Sequence, residues 1–132
     1  MKDKLYEFYL KCKSRIKALS SDEFIFLLRK SGGVKIGKGC KIFNTRNVCI
    51  EADPVLLEIG DYVKITQGVV VVTHDYSRSV LRRVYGQIIG DGAPVVIGNN
   101  VFIGINSIIL MGTELGDNTI VGAGSVVKGK FP

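Results

Sequence analysis

The sequence predicts an all-β solenoid, a parallel coil of about four turns, and three observations carry that prediction. First, branched aliphatic residues recur at strict period six in three blocks: Ile36, Ile42 and Val48; Ile59, Ile65 and Val71; and Ile97, Ile103, Ile109, Leu115, Val121 and Val127. Second, six of these twelve are followed directly by glycine, at Gly37, Gly60, Gly98, Gly104, Gly116 and Gly122. Third, neither a helix nor a flat strand needs an aliphatic at every sixth residue, since their periods are 3.6 and 2. A triangular coil does need one. Each face takes six residues, one side chain points inward, and the small residue after it lets the backbone turn the corner. Three such faces close a turn, so the blocks supply one, one and two turns. Internal repeats override ordinary secondary-structure reading.

Two helices are expected ahead of the coil. Residues 3 to 19, with Leu5, Phe8, Tyr9, Cys12, Ile16 and Leu19 at three- and four-residue spacings, read as an amphipathic helix. Ser20 can cap a second helix, with Glu23 three residues on completing a capping box, and that helix is expected to stop at Ser31-Gly32-Gly33. Residues 1–32 are thus expected to form a helical cap over the open end of a coil domain spanning 33–132, where unpaired strand edges would otherwise be exposed.

The register has two gaps. Val48 to Ile59 is eleven residues where twelve would hold phase, and Asp53-Pro54 sits there, so a one-residue deletion at a corner is expected. Val71 to Ile97 is 26 residues. The chain therefore leaves the coil after Val72 and rejoins it by Val95, with an excursion over 73–93. Loops of that length inside a compact repeat are usually functional.

Composition bounds the function. A chain of 132 residues is one domain, and its net charge of +6 suits an anionic ligand or surface. The cations concentrate in the first 46 positions and at Arg78, Arg82 and Arg83, without aromatics interleaved along one element, so no nucleic-acid partner is expected. Cys12, Cys40 and Cys49 are odd in number and form no Cys-x-x-Cys pair; they read as free thiols of a reducing compartment, the cytoplasm. No transmembrane segment and no metal site are expected: no long uncharged apolar run occurs, and a single histidine is too few for a zinc centre.

That histidine, His74, lies three residues after the inward Val71, where the chain leaves the coil, and Asp75 follows it. An imidazole is the side chain best suited to take a proton at neutral pH. Phosphate-loop, dinucleotide and Gly-x-Ser-x-Gly signatures are absent, and the glycines follow the coil period instead.

With the coil, the single histidine and the excursion in place, the sequence resembles the hexapeptide-repeat acyltransferases. It looks nearest to the branch containing maltose, galactoside, nodulation-factor and polysaccharide O-acetyltransferases. The stretches that carry the resemblance are IGDYVKITQGVVVVTHDYS, 59 to 77, and VVIGNNVFIGINSIILMGTELGDNTIVGAGSVV, 95 to 127. It implies a left-handed parallel β-helix and a homotrimer whose active sites lie in grooves between neighbouring coils, with acetyl-CoA along the groove and a saccharide as acceptor. It places the catalytic base on His74, an aromatic beside the cofactor at Phe102, and pantetheine contacts at the backbone of Ile105 and Ala123. It puts a phosphate-end cation near Lys128 and acceptor contacts at Asn44 or Asn47. Asp75 and Arg83 of the excursion are assigned to the acceptor side as well.

Three functional readings follow. The leading one is O-acetylation of a sugar hydroxyl without an acyl-enzyme. The others are N-acetylation of an amino-sugar nucleotide and a catalytically silent trimeric β-helix. The silent reading arises because relatives continue beyond GAGSVV into a Gly-Asn-Pro-Ala-Lys-like stretch that helps enclose the cofactor, whereas this sequence ends at Pro132. In the trimer, the excursion of one subunit is expected to cover the groove of the next.

Overall fold

The computed structural model describes residues 2–15, 17–30, 32–87 and 92–132. Ile16 and Ser31, which enter the expected helices, and residues 88–91 of the excursion lie outside the described residues. The element order is two helices, α1 (Lys2–Ser14) and α2 (Ser21–Lys30), then thirteen short strands, with a further helix, α3 (Arg78–Tyr85), after the sixth. The strands stack in parallel into three sheets, and the fold is a left-handed parallel β-helix. The first sheet holds β1 (Lys35–Ile36), β4 (Leu57–Ile59), β7 (Val95–Ile97), β10 (Glu114–Leu115) and β13 (Lys130–Phe131). The second holds β2 (Lys41–Ile42), β5 (Lys64–Ile65), β8 (Phe102–Ile103) and β11 (Ile120–Val121). The third holds β3 (Cys49–Glu51), β6 (Val70–Val72), β9 (Ile108–Ile109) and β12 (Val126–Val127).

The period-six aliphatics fall into register as expected over most of the coil. Ile59 lies beside Ile97 and Ile97 beside Leu115; Ile65, Ile103 and Val121 form a second column; Val71, Ile109 and Val127 form a third. Ile103 and Ile109 are fully buried, while Ile36 and Val127, at the two ends of the stack, are partly exposed. Each face has a second inward seat two residues earlier, which the period alone did not reveal. Leu57, Val63, Val69, Val95 and Val101 fill it in the middle of the coil, and Ser107 and Thr113 fill it further on. These two hydroxyls are buried but satisfied: Ser107 Oγ donates to the Gly122 carbonyl at 2.9 Å, and Thr113 Oγ1 donates to that of Leu110 at 2.6 Å.

The first turn departs from expectation. It is Ile50, not Val48, that pairs with Val71, so Val48 is buried in the second seat of its face. The turn between β2 and β3 is therefore longer than the repeat, with Asn44 in the left-handed region at φ 51°. The corner at Asp53-Pro54 is also an insertion rather than a deletion: a short 3-10 helix, Pro54–Leu56, whose first free amide, on Val55, donates to Asp53 Oδ1. Two insertions at successive corners mimic one deletion when only spacings are counted.

Four of these glycines, Gly37, Gly60, Gly98 and Gly116, follow the strands of the first sheet and stack at one corner, where no side chain fits. A Cβ on Gly98 would lie 2.8 Å from the Gly116 backbone carbonyl carbon, and one on Gly60 would lie 2.7 Å from the Gly98 carbonyl oxygen. Along the same corner Asp117 Oδ1 accepts from the Asn99 amide at 2.6 Å, and Asn99 Oδ1 accepts from the Asp61 amide at 2.8 Å. This ladder carries polar side chains from turn to turn down the edge of the prism.

Helix α2 packs on the first turn, with Ile25 in the core and Phe24 and Leu28 against it. It also meets hydrogen-bonding groups of the end strands that have no further turn to pair with. Arg29 donates to the Ile36 and Gly37 carbonyls at 2.8 and 2.6 Å, and the Ile42 amide donates to Ser21 Oγ at 2.8 Å. The expected capping box is present: the Glu23 amide donates to Ser20 Oγ at 3.2 Å and the Ser20 amide to Glu23 Oε2 at 2.8 Å.

Helix α1 ends at Ser14 rather than near residue 19, and its predicted apolar face points outward. Leu10 is fully buried against α2, whereas Leu5 and Phe8 are 72% and 66% exposed. Lys13 Nζ reaches Glu23 at 2.7 Å and links the two helices.

The Glu23 carboxyl is held below the usual carboxylate range, first by the Lys13 hydrogen bond and then by the Ser20 amide. A depressed carboxylate contributes stability that is present above its unfolded-state value and is lost as pH falls through the folded one. Acid titration of helix content should therefore show loss of α1–α2 docking below about pH 4.3. Glu23→Gln should flatten that limb, and an unchanged acid limb would refute the assignment.

Candidate active site

The excursion leaves the third sheet at Val72 and returns at Val95, as the gap in the period predicted. Its neck is a short antiparallel contact. His74 bridges Gly92, and the Ala93 amide donates to the Thr73 carbonyl at 2.9 Å. Gly92 is required by this closure, since a Cβ there would lie 2.9 Å from the Thr73 oxygen. Thr73 is fully buried, and its Oγ1 accepts from the Asp53 amide at 2.8 Å, pinning the neck to the corner of the turn below. The residue before His74 is thus anchored in the solenoid.

His74 itself is half-buried, with its ring edge-on to Tyr76 at 5.7 Å between centroids. It borders an open hollow of about 560 Å³ with Ile50, Glu51, Ala52, Asp53 and Pro54. Asp75 turns away from this hollow toward the excursion helix, accepting from the Ser77 amide at 2.8 Å and from the Ser77 hydroxyl. Those bonds, ahead of the charges of Arg78 and Lys128, hold the Asp75 carboxyl below the usual carboxylate range. Asp75 therefore orders the start of α3, and Lys128 lies close enough to be felt there. A role for Asp75 in binding the acceptor gains no support from this geometry.

The remaining expected site residues lie elsewhere on the prism. Phe102 projects outward from the second sheet, 40% exposed, between Lys64 and Ile120 in register. Ile105 and Ala123 stack at the corner between the second and third sheets, where the Gly124 amide donates to the Ile105 carbonyl at 2.7 Å. Asn44 and Asn47 are exposed on the same corner of the first turn, and Asn44 donates to Gln67 Oε1 at 3.1 Å. Arg83 is exposed on α3. One chain thus brings His74, Asp75 and Lys128 to the corner after the third sheet, and Phe102, Ile105, Ala123, Asn44 and Asn47 to the second sheet and the corner before the third.

Sequence reasoning passed over Glu51 and Asp53, the two carboxylates that share the His74 hollow. The available signal was their place at the register gap, which the eleven-residue spacing disguised. Cys40 is buried and Cys49 half-buried, and neither lines the hollow with His74. Among the described residues no group of three histidine, cysteine or carboxylate side chains is placed to hold a metal ion, and no helix is long and apolar enough to cross a membrane.

Residues 94–128 match the family model described as the hexapeptide repeat of succinyl-transferase. The chain is 44% identical over 80 residues to protein CapG of Staphylococcus aureus, covering 61% of this chain and 46% of that protein. It is 33% identical over 102 residues to galactoside O-acetyltransferase of Escherichia coli, covering 77% of this chain and 49% of that enzyme. The chain spans about half the length of these curated relatives. Among solved structures, a maltose O-acetyltransferase from Clostridium difficile superposes with a TM-score of 0.60 at 28% identity, covering 98% of this chain and 79% of that one.

Proposed function

Because the chain is a left-handed β-helix of the hexapeptide-repeat acyltransferase kind, we propose that it transfers an acetyl group from acetyl-CoA to a hydroxyl of a saccharide acceptor, with His74 as general base. The observation that carries this reading is the placement of the chain's one histidine at the neck of the excursion, beside an open hollow and anchored through buried Thr73. The relatives with acetyltransferase names support the reaction class.

In this mechanism His74 takes the proton of the acceptor hydroxyl as its oxygen attacks the thioester carbonyl carbon. The carbon–sulfur bond breaks, and the imidazolium returns the proton to the departing thiolate. The products are an acetyl ester and free CoA, with no acyl-enzyme. Holding both substrates in one groove contributes to the rate by positioning, and the histidine adds about two to four orders of magnitude. Phe102, Ile105 and Ala123 offer the exposed apolar lane for the pantetheine arm; Lys128 would meet the phosphate end, and Asn44, Asn47 and Arg83 the acceptor.

These two groups of residues occupy different corners of one chain, and a shared site reconciles them. In a C3 homotrimer the corner that carries His74 faces the second-to-third corner of a neighbour. Helix α3 leaves Val80, Val84 and Tyr85 exposed in the single chain, an apolar surface that a neighbouring subunit would cover. Light scattering should give three times the chain mass at micromolar concentration. A stable monomer with full activity would remove the shared site.

The enzymatic test is thiol release from acetyl-CoA across a panel of saccharides and amino sugars. Hydroxyl-dependent release with formation of an acetyl ester is expected. Release confined to amine acceptors would replace O-acetylation by N-acetylation.

A further inference from the structure

Helix α1 carries an apolar stripe that no described residue covers. Leu5, Phe8, Tyr9 and Cys12 recur at the three- and four-residue steps of one helix face. Leu5, Phe8 and Tyr9 are 72%, 66% and 54% exposed, and Cys12 is exposed as well. The opposite face is spent on α2: Leu10 is fully buried there, and Tyr6 meets Phe26 edge-on at 5.1 Å. A stripe with two large aromatics is costly to leave in water, because each fully covered side chain of this size is worth about 1.5–3 kcal/mol.

The charges around the stripe identify its occupant. At 100° per residue, Lys2 and Lys13 border one side of it and Lys4 and Lys11 the other. The two carboxylates of the helix, Asp3 and Glu7, lie on the far side, where Asp3 meets Lys30 of α2 at 3.3 Å and Glu7 meets Lys11 at 2.7 Å. Residues 2 to 17 hold six cations against those two anions. Lys13 and Lys11 are held by Glu23 and Glu7, which leaves Lys2 and Lys4, one on each border, with long stems that let the ammonium groups reach outward. An apolar face so edged matches the boundary between acyl chains and anionic headgroups.

We propose that α1 is an interfacial anchor that lays the N-terminal end of the β-helix on an anionic phospholipid surface, with Leu5, Phe8 and Tyr9 inserted and Lys2 and Lys4 on the headgroups. Helix α1 has 13 residues and no described helix is long and apolar enough to span, so the contact is peripheral and reversible. It would hold the solenoid where membrane-borne acceptors are presented. The proposal stands independently of the acetyl-transfer reading.

The test is sedimentation of the full 132-residue chain with vesicles. Binding is expected to vesicles of equal parts phosphatidylcholine and phosphatidylglycerol, to weaken with salt, and to be far weaker on phosphatidylcholine alone. The double variant Leu5→Ser, Phe8→Ser should lower partitioning by about tenfold or more. Lys2→Gln with Lys4→Gln should lower it on anionic vesicles only. An environment-sensitive dye on Cys12 should shift to the blue when anionic vesicles are added. Absence of sedimentation, or equal binding by the serine variant, would overturn the proposal. So would a wild-type assembly, seen by size exclusion, that the serine variant reduces to a smaller species without any vesicle binding, because the stripe would then belong to a second copy. Acetylation of a soluble acceptor by the serine variant should be unchanged, which separates failure of the anchor from failure of the enzyme reading.

Discussion

Replacing His74 by alanine is expected to lower turnover by about two to four orders of magnitude while leaving the coil folded. The chemical half of that expectation follows from uniqueness. No other histidine exists in the chain to take over the proton. The thiols cannot substitute readily: Cys40 is buried, and burial pushes the Cys49 thiol up, with the charge of Glu51 adding to the effect. The structural half follows from where the ring sits. His74 is half-buried outside the aliphatic core, and the neck it belongs to is held by the Thr73–Ala93 and Thr73–Asp53 hydrogen bonds rather than by the imidazole. Thermal melting of His74→Ala should therefore stay near wild type, and its mass by light scattering should not change. His74→Gln separates shape from proton transfer: it retains a polar side chain at the hollow but cannot act as a base. Both variants should be comparably inactive. Full acetyl transfer by either one, with fold intact, would refute the role given to His74.

A neighbouring expectation concerns Glu51 and Asp53, which share the hollow with His74. Asp53 is committed to the Val55 amide and shapes the corner. Its replacement by alanine should cost about 1 kcal/mol of stability, as loss of a cap does. Chemical denaturation of Asp53→Ala measures that cost, and an unchanged midpoint would mean the corner holds without it.

The coil was legible because its sequence period is a direct image of its geometry. Wherever the repeat is unbroken, as from Ile97 to Val127, the period-six seat of each face could be assigned residue by residue, and the strand register agrees, while the second seat two residues earlier stayed hidden. It failed where two insertions together fell one residue short of a whole face and so read as a deletion. Val48 satisfies the period yet sits in the second seat of its face, and Ile50 takes the place expected of it, because spacings record only the sum of the corner lengths. Helix α1 failed for a different reason. Apolar periodicity says that one face is apolar but not what covers it, and it is Leu10 and Tyr6, outside the expected stripe, that face the protein. Helix α3 was missed because the excursion reads as a loop from its length, although Val80, Leu81, Val84 and Tyr85 fall on one helical face opposite the three arginines. The candidate site was legible at His74, where a chemically distinctive residue coincides with a break in the repeat. It was not legible at Glu51, since an acid beside a misassigned corner reads as ordinary surface.

The largest effect on stability is expected from Ile103→Asp. Ile103 is fully exposed to core and not at all to water, and it sits between Ile65 and Val121 in the middle of its column. Loss of the aliphatic side chain alone, as in Ile103→Ala, should cost about 2–5 kcal/mol in transfer and cavity terms. An aspartate adds a carboxylate with no partner in an aliphatic interior, and burying an unpaired charge costs several kcal/mol more unless the group stays protonated. The sum approaches the whole stability of an ordinary domain, about 5–15 kcal/mol. The variant should therefore be largely unfolded at neutral pH. Its residual stability has a definite sign with pH. Burial raises the folded-state value of the new carboxyl above its unfolded one, so the folded form binds more protons and stability rises as pH falls toward about 4. Ile36→Asp is the matched control: Ile36 belongs to the same repeat but lies half-buried at the end of the stack, where the carboxylate can reach water. It should remain folded with a much smaller loss. Urea denaturation of the three variants, followed by circular dichroism, orders them as Ile103→Asp, Ile103→Ala and Ile36→Asp from most to least destabilised. Equal effects at positions 103 and 36 would mean that the twelve aliphatics do not line one closed interior.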